Sequence, residues 1–270
     1  MALPVIVFGD INDISKTGSV RAIAVHNGLN PLRYALKSDK IDGEDLRSFN
    51  GWKKTLDLPH DGAWLDEIFT RDVKLQDAAL RRTDNSQFKY HCSDHNGLRV
   101  DAYVGTAVER MLQINMRRSD LVELVKTRKW VPYRQPMMDE FIDRVHPSVI
   151  GCQEITDQQL HDVLKGLPPA WNYVGYDHNV RLLFDGNKWE AIEGTFFQGI
   201  LPSGLRKRYL TLVRLRYRAS GWTGLFGSLH LAAGGVTEPN PAKIRLSQMN
   251  TVIDMIEDHS GALPVPTPGV

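Results

Sequence analysis

Short apolar runs bounded by Gly, Asn, Asp and Pro recur along the whole chain, a pattern of strands more than of long amphipathic helices. They predict strands at Val5–Phe8, Leu65–Thr70, Leu98–Val104, Met111–Ile114, Val149–Gln153, Val180–Phe184, Tyr209–Tyr217 and Leu225–Leu231. Helical spacing appears in fewer places. Met137, Met138, Phe141, Ile142 and Val145 form one apolar stripe, stopped by Pro147. Thr156-Asp157-Gln158-Gln159 has the form of a capping box, opening a helix that runs through Leu164 and is closed by Gly166. Ile244, Met249, Val252, Ile253 and Ile256 form a late stripe ended by Gly261, and an early helix from Ser19 to His26 ends at Asn27-Gly28. Strands and helices do not alternate strictly, so an α+β layered sandwich is expected, not a doubly wound sheet. No composition shift marks a boundary, which favours one domain. The alternating prolines at 264, 266 and 268 predict an extended tail.

The first run raises a question. Val5–Phe8 is cut off by Gly9 and delivers Asp10, Asn12 and Asp13 into a loop, yet almost nothing precedes it to serve as a neighbouring element. Other predicted strands end in the same kind of chemistry. Val149–Gln153 leads to Glu154, Met111–Ile114 leads to Asn115, Ser93-Asp94-His95 sets a carboxylate beside an imidazole, and Gly227-Ser228-Leu229-His230 supplies a second imidazole. Hard divalent cations take oxygen ligands, and Mg²⁺ needs only one or two carboxylates while keeping several waters. Carboxylates, carboxamides and two imidazoles together suit phosphate-ester hydrolysis. Each element taken singly has a plain structural alternative, such as an ordinary core histidine at His230 or a solvated strand-end charge at Asp66.

Bulk properties narrow the setting. The chain has 270 residues and a net charge of +1, so any affinity for a polyanion must come from a local patch. Two cysteines, Cys92 and Cys152, cannot make a disulfide framework, and a reducing, cytoplasmic location is expected. No run approaches the about 18 apolar residues of a membrane span, and no signal peptide is read at the start. His91, Cys92 and His95 lack the spacing and the fourth ligand of a zinc site. No GxxxxGK[ST] loop is present.

Taken together, QE at 153–154, GDIND at 9–13, SDH at 93–95, SLHL at 228–231 and LDEIF at 65–69 resemble the endonuclease/exonuclease/phosphatase superfamily. That resemblance implies a four-layer α/β/β/α sandwich of the deoxyribonuclease-I-like type. The motif order differs from the family's, in which the Asn and Gln-Glu motifs come first and Ser-Asp-His last. A circular permutation accounts for this, with residues 3–104 resembling the family's C-terminal half, 105–262 its N-terminal half, and 263–270 an extended tail of a single catalytic domain, 1–270. The identical tetrapeptides Ala2–Val5 and Ala262–Val265 stand where the cut is expected. On this reading the predecessor of the first strand is the late helix, now at the other end of the chain.

Carried over residue by residue, the resemblance makes Glu154 the principal ligand of Mg²⁺ (or Mn²⁺), with Asn115 beside it and Asp94 assisting. Asp10 positions or activates water, Asn12 bonds the phosphoryl oxygens, His95 contacts the phosphate and is oriented by Asp66, and His230 is the second imidazole. Arg208, Arg214 and Arg216 begin and continue a basic strand. With Arg117-Arg118, Arg128-Lys129, Arg134, Trp130 and Tyr133 they suggest a surface that follows a nucleic-acid backbone. The alternative there is a solvated sheet face paired with nearby acids. The expected function is a metal-dependent nuclease of low sequence specificity, acting on nucleic acid and not at a membrane. A phosphatase or phosphodiesterase on a small phosphoester (inositol phosphate, lipid headgroup or nucleotide) is the alternative, followed by a non-catalytic binding protein on the same scaffold.

Overall fold

The structure, a computed structural model, describes residues 2–13, 19–32, 41–42, 65–81, 83, 91–120, 129–176, 179–202, 207–233 and 240–261. In chain order its elements are β1 (Val5–Asp10), α1 (Ser19–His26), β2 (Asn30–Pro31), β3 (Ile41–Asp42), β4 (Asp66–Arg71), β5 (Leu75–Arg81), β6 (Gly97–Val104) and β7 (Ala107–Asn115). A single π-helical turn, Trp130–Arg134, then leads into α2 (Gln135–Val145), followed by β8 (Val149–Gln153), α3 (Asp157–Gly166), β9 (Trp171–Val174) and β10 (Val180–Asp185). The rest are β11 (Trp189–Ala191), β12 (Phe197–Leu201), β13 (Arg208–Tyr217), β14 (Thr223–His230) and α4 (Pro241–Ser260).

Two mixed sheets face each other. The first runs β11-β13-β14-β1-β4-β2, with β12 also on β13; the second runs β3-β5-β6-β7-β8-β10-β9. Three apolar clusters define the layers. Ile6, Phe8, Ile68, Val100, Met111 and Phe226 belong to the cluster between the sheets. Val7, Phe69, Leu212 and Leu229 pack with Val20 of α1 and with Met249, Val252 and Ile256 of α4 on the outer face of the first sheet. Leu112, Ile150 and Leu183 pack with Met138, Phe141 and Leu160 on the outer face of the second. Strand residues alternate between these clusters, as a period of two requires, and the α+β sandwich is the architecture expected.

The element boundaries extend several of the expected ones. The 149–153 strand and the 19–26 helix coincide with expectation, and Thr156 and Gln159 do form a reciprocal capping box. Strands β5, β9, β11 and β12 were not anticipated. They are short or weakly alternating segments such as Leu-Gln-Asp-Ala-Ala-Leu-Arg, whose pairing comes from neighbours and not from their own pattern. The tail and Ala262–Val265 lie outside the described residues.

The two ends of the described chain meet. Leu3 N donates to Ser260 O at 2.9 Å, at the last residue of α4. Strands β14 and β1 pair in parallel from Val5↔Leu225 to Asp10↔His230, and α4 packs on the face they share. The hairpin between β6 and β7 turns on Gly105-Thr106, with Gly105 at φ +68°, a conformation that costs glycine little.

The sheets approach most closely at Gly151 in β8, where an added Cβ would sit 2.3 Å from Phe8 Cβ. Gly151→Ala should therefore cost about 1–3 kcal/mol, the usual range for overpacking. Urea titration checks this, and a Phe8→Leu background, which keeps the Cβ and Cγ atoms in the way, should not recover the loss.

Candidate active site

The site stands where β1 and β14 end, β4 begins, and β7 and β8 end opposite them. Register alone sets Asp66, Asp10 and His230 side by side across three adjacent strands of the first sheet. In the second sheet Asn115 pairs with Gln153, and Glu154 follows. The turn carrying Ser93-Asp94-His95 precedes β6 and closes the group.

All these groups except Glu154 are buried, so each needs a partner. His95 Nδ1 donates to Asp66 Oδ2 at 2.8 Å. The other Asp66 oxygen accepts from Gln113 Nε2 at 2.7 Å, and the same nitrogen donates to Gln153 Oε1 at 2.7 Å. Gln153 Nε2 in turn donates to Ser228 Oγ at 3.0 Å. A continuous polar chain thus crosses from the first sheet to the second and back. Gln113, Gln153 and Ser228 were read only as parts of motifs, without a role. The available signal was the spacing of Gln113 and Asn115, which puts two polar side chains on the same face of an apolar strand.

Asp10 is held separately. Its Oδ2 accepts from Asn115 Nδ2 at 2.9 Å and lies 3.4 Å from His230 Nε2, while Oδ1 accepts from Asn12 N at 3.2 Å. Burial pushes the Asp10 carboxyl up; His95 opposes this, the Asp66 charge reinforces it, Asn115 opposes it, and Glu154 reinforces it, leaving the group at about 7 against an ordinary 3.8.

The two imidazoles are driven in opposite directions. Burial lowers His95, but the charge and hydrogen bond of Asp66, with Asp10 and Asp94, outweigh it and raise the ring from 6.5 to about 10. His230 is pushed well below 6.5 by burial, by Arg208 and by His95. Arg208 Nη1 lies 3.3 Å from His230 Nδ1. The same guanidinium nitrogen lies 3.4 Å from Nε2, so Arg208 stands against the edge of the neutral ring, with Asp10 as its other contact. One imidazole is therefore a fixed cation and the other a neutral ring, with a carboxyl between them.

Two anchors keep the loops in place. The buried Arg134 donates through Nε to Cys92 O at 2.9 Å and through Nη2 to Met116 O and Arg117 O, joining the Ser-Asp-His turn to the segment after Asn115. Gln159 Nε2 adds a bond to Arg117 O at 2.9 Å. Arg134 and Trp130, expected on a basic and aromatic surface, are instead interior. Tyr133 is half-buried, and Arg128 lies outside the described residues.

Other expected residues have specific positions. Asn12, at φ +51°, donates through Nδ2 to Leu231 O at 3.2 Å and so ties the end of β1 to the end of β14. Asn115 Oδ1 accepts from Arg117 N at 2.9 Å, so both ends of this carboxamide serve protein partners. Asp94 Oδ2 lies 3.6 Å from Arg117. Glu154, at φ +52°, opens into a cavity of about 570 Å³ whose lining includes Arg117, Arg118, Lys207, Arg208 and His230. Asp13 accepts from Val20 N at the start of α1 and is part of the scaffold.

The basic strand is not one surface. Arg208 stands beside His230, but Arg214 and Arg216 pair with Leu225 and Thr223, at the opposite end of β14 from His230. Arg214 is buried and donates to His259 O at 2.8 and 3.1 Å, and Arg216 lies 3.5 Å from Glu190. Alternation does put both on one face, but α4 covers that face at Arg214. Of the three arginines expected to bind substrate, these two therefore lie away from His230, and Arg208 lies beside it.

Among the described residues no cluster of three or more His, Cys, Asp or Glu side chains is arranged to hold a metal ion. The donor chemistry nevertheless suits a hard divalent cation, since carboxylates and carboxamides gather here. Among the described residues no helix is long and apolar enough to cross a membrane.

No family model and no curated protein matches the chain. Solved structures do. An endonuclease/exonuclease/phosphatase from Bacteroides vulgatus aligns at 18% identity and TM-score 0.48, over 56% of this chain and 60% of its own. An endonuclease/exonuclease/phosphatase family protein from Bacteroides thetaiotaomicron aligns at 19% and 0.47, over 55% and 56%. A mannosyl-6-phosphatase from the same organism aligns at 17% and 0.48, over 55% and 58%. Each match spans less than two thirds of the neighbour's length.

The Asp10 carboxyl gives a stability signature. Folding raises its pKa, so the folded state binds more protons than the unfolded one between about pH 4 and 7, and stability falls as pH rises through that window. Urea midpoints in EDTA at pH 4.5 and 7 should decline for the wild type and decline less for Asp10→Asn.

Proposed function

We propose that this protein is a divalent-metal-dependent phosphoester hydrolase whose substrate is a small phosphoester held in the cavity at Glu154, and that it acts as a single catalytic domain. The carrying observation is Asp10, buried between a cationic His95 and a neutral His230, with His230 lining that cavity 3.4 Å from the Asp10 carboxyl. In its ionised form Asp10 orients and deprotonates the attacking water. The His95 cation, fixed by Asp66, stabilises the charge that develops on the phosphoryl oxygens, and the neutral His230 ring lines the same cavity. Glu154, with Asp94, would hold Mg²⁺ or Mn²⁺; such an ion supplies polarisation of the phosphoryl group and a more acidic bound water. In this reading Asn115 serves by orienting Asp10.

The nuclease expectation leaned on Arg208, Arg214 and Arg216 acting together. With only Arg208 at the site, the small-substrate alternative has the better support. A reducing cytoplasmic setting, the expectation from only two cysteines, is part of the same reading.

A permuted chain order is part of the same proposal. Its support is the parallel β14–β1 pair with α4 packed on it and ending against Leu3, which has the build of a β-α-β unit whose helix-to-strand link is cut. The two-residue β6–β7 turn is where the old ends would have been joined.

Hydrolysis of p-nitrophenyl phosphate, bis(p-nitrophenyl) phosphate and supercoiled plasmid, each with Mg²⁺, Mn²⁺ or EDTA, tests the assignment. Metal-dependent turnover of a small ester is expected, falling at least about 10²-fold in Asp10→Asn and His95→Gln, with Arg216→Gln close to wild type. Plasmid nicking without small-ester turnover, weakened by Arg216→Gln, would return the substrate to nucleic acid. Folded protein inactive on all three would sink the hydrolase reading.

A further inference from the structure

Resting on that hydrolase reading, we infer that the substrate carries a second phosphate group, bound by Arg118 and Lys207 while the first lies at Asp10, His95 and His230. The cavity lining has four cationic side chains, Arg117, Arg118, Lys207 and Arg208, against the single carboxylate of Glu154. Two of the four are committed to the reacting end. Arg117 faces Asp94 at 3.6 Å, and Arg208 lies against His230. Arg118, paired with Asp120, and Lys207 are not tied to that end.

These two arrive from different sheets. Arg118 follows β7 in the second sheet, and Lys207 precedes β13 in the first, so an anion bridging them spans the cavity. Arg118 is steadied by Asp120, to which its Nε donates at 2.8 Å and its Nη2 donates as well, and the hydrogen bond to Asp120, with the nearby Glu154 charge, reinforces its cationic form; Nη1 makes no bond to Asp120. A guanidinium oriented in this way matches phosphate through paired N–H donors, while lysine adds a compact charge. The volume of about 570 Å³ falls within the size of small-molecule sites and exceeds what one phosphoryl group fills. A polymer backbone needs a cation track beyond the cavity, and along β13 that track stops: Arg214 turns to His259 O and Arg216 faces Glu190.

A flexible probe tests the second phosphate without assuming a scaffold. Binding of 1,6-hexanediol bisphosphate and of hexyl phosphate is measured by calorimetry in EDTA, where metal-dependent turnover is stopped. The bisphosphate should bind at least about tenfold tighter, the worth of one charge-assisted contact pair, and that advantage should vanish in the Arg118→Gln/Lys207→Gln double variant. Circular dichroism confirms that the variant is folded, and each single variant, losing part of the advantage, gives the same answer should the double one fail. Equal affinity of the two probes overturns the subsite, and if the small esters are still hydrolysed the hydrolase reading stands without it. The expected affinity ratio in a protein that hydrolyses no ester leaves a bisphosphate-binding site and overturns the hydrolase reading instead. Tighter binding of a single-stranded oligonucleotide than of the bisphosphate overturns the proposal in favour of a polymer.

Discussion

The buried carboxylate of Asp66 constrains everything around it. An acid at a fully covered strand end must have every lone pair met, and here the partners come from both sheets: His95 on one oxygen, Gln113 on the other. Gln113 is itself bound to Gln153, and Gln153 to Ser228, so the inter-sheet spacing, the strand register and the His95 ring orientation depend on one another. A shift of either sheet by one residue would turn these side chains to the outer face and strand the charge.

From that constraint follows the division of labour between the imidazoles. The two rings flank the same carboxyl, yet Asp66 makes His95 a durable cation while Arg208 and burial keep His230 neutral. Asp10, between them, is held near neutrality by the same surroundings. Environments that drive neighbouring titratable groups apart are how one fold carries acid and base roles at a single pH. The protonation pattern of this polar set is in this sense a product of desolvation at the sheet ends as much as of residue choice.

The scaffold delivers the set through short, rigid connections. Gly151 lets Phe8 cross the interface, Arg134 fastens two loops by their carbonyls, and Asn12 locks the end of β1 to β14. The bond between Leu3 and Ser260 ties the segment before β1 to the end of α4.

Local sequence determined a good deal. Apolar runs ending in Asp10, Glu154, Asn115 and His230 announced both the strands and the polar site, because a buried strand that ends in carboxylates has few other uses. Period-two alternation correctly assigned Arg214 and Arg216 to one face of β13. It did not say that α4 would cover that face, or that the site would lie at the other end, since coverage depends on elements distant in the chain. Likewise Arg134 read as surface charge because nothing near it in sequence reveals the three carbonyls it serves. The protonation of the two histidines and the linking role of Gln113 and Gln153 were decided only by tertiary structure. They arise from burial and from partners tens of residues away, and desolvation exists only once both sheets have closed.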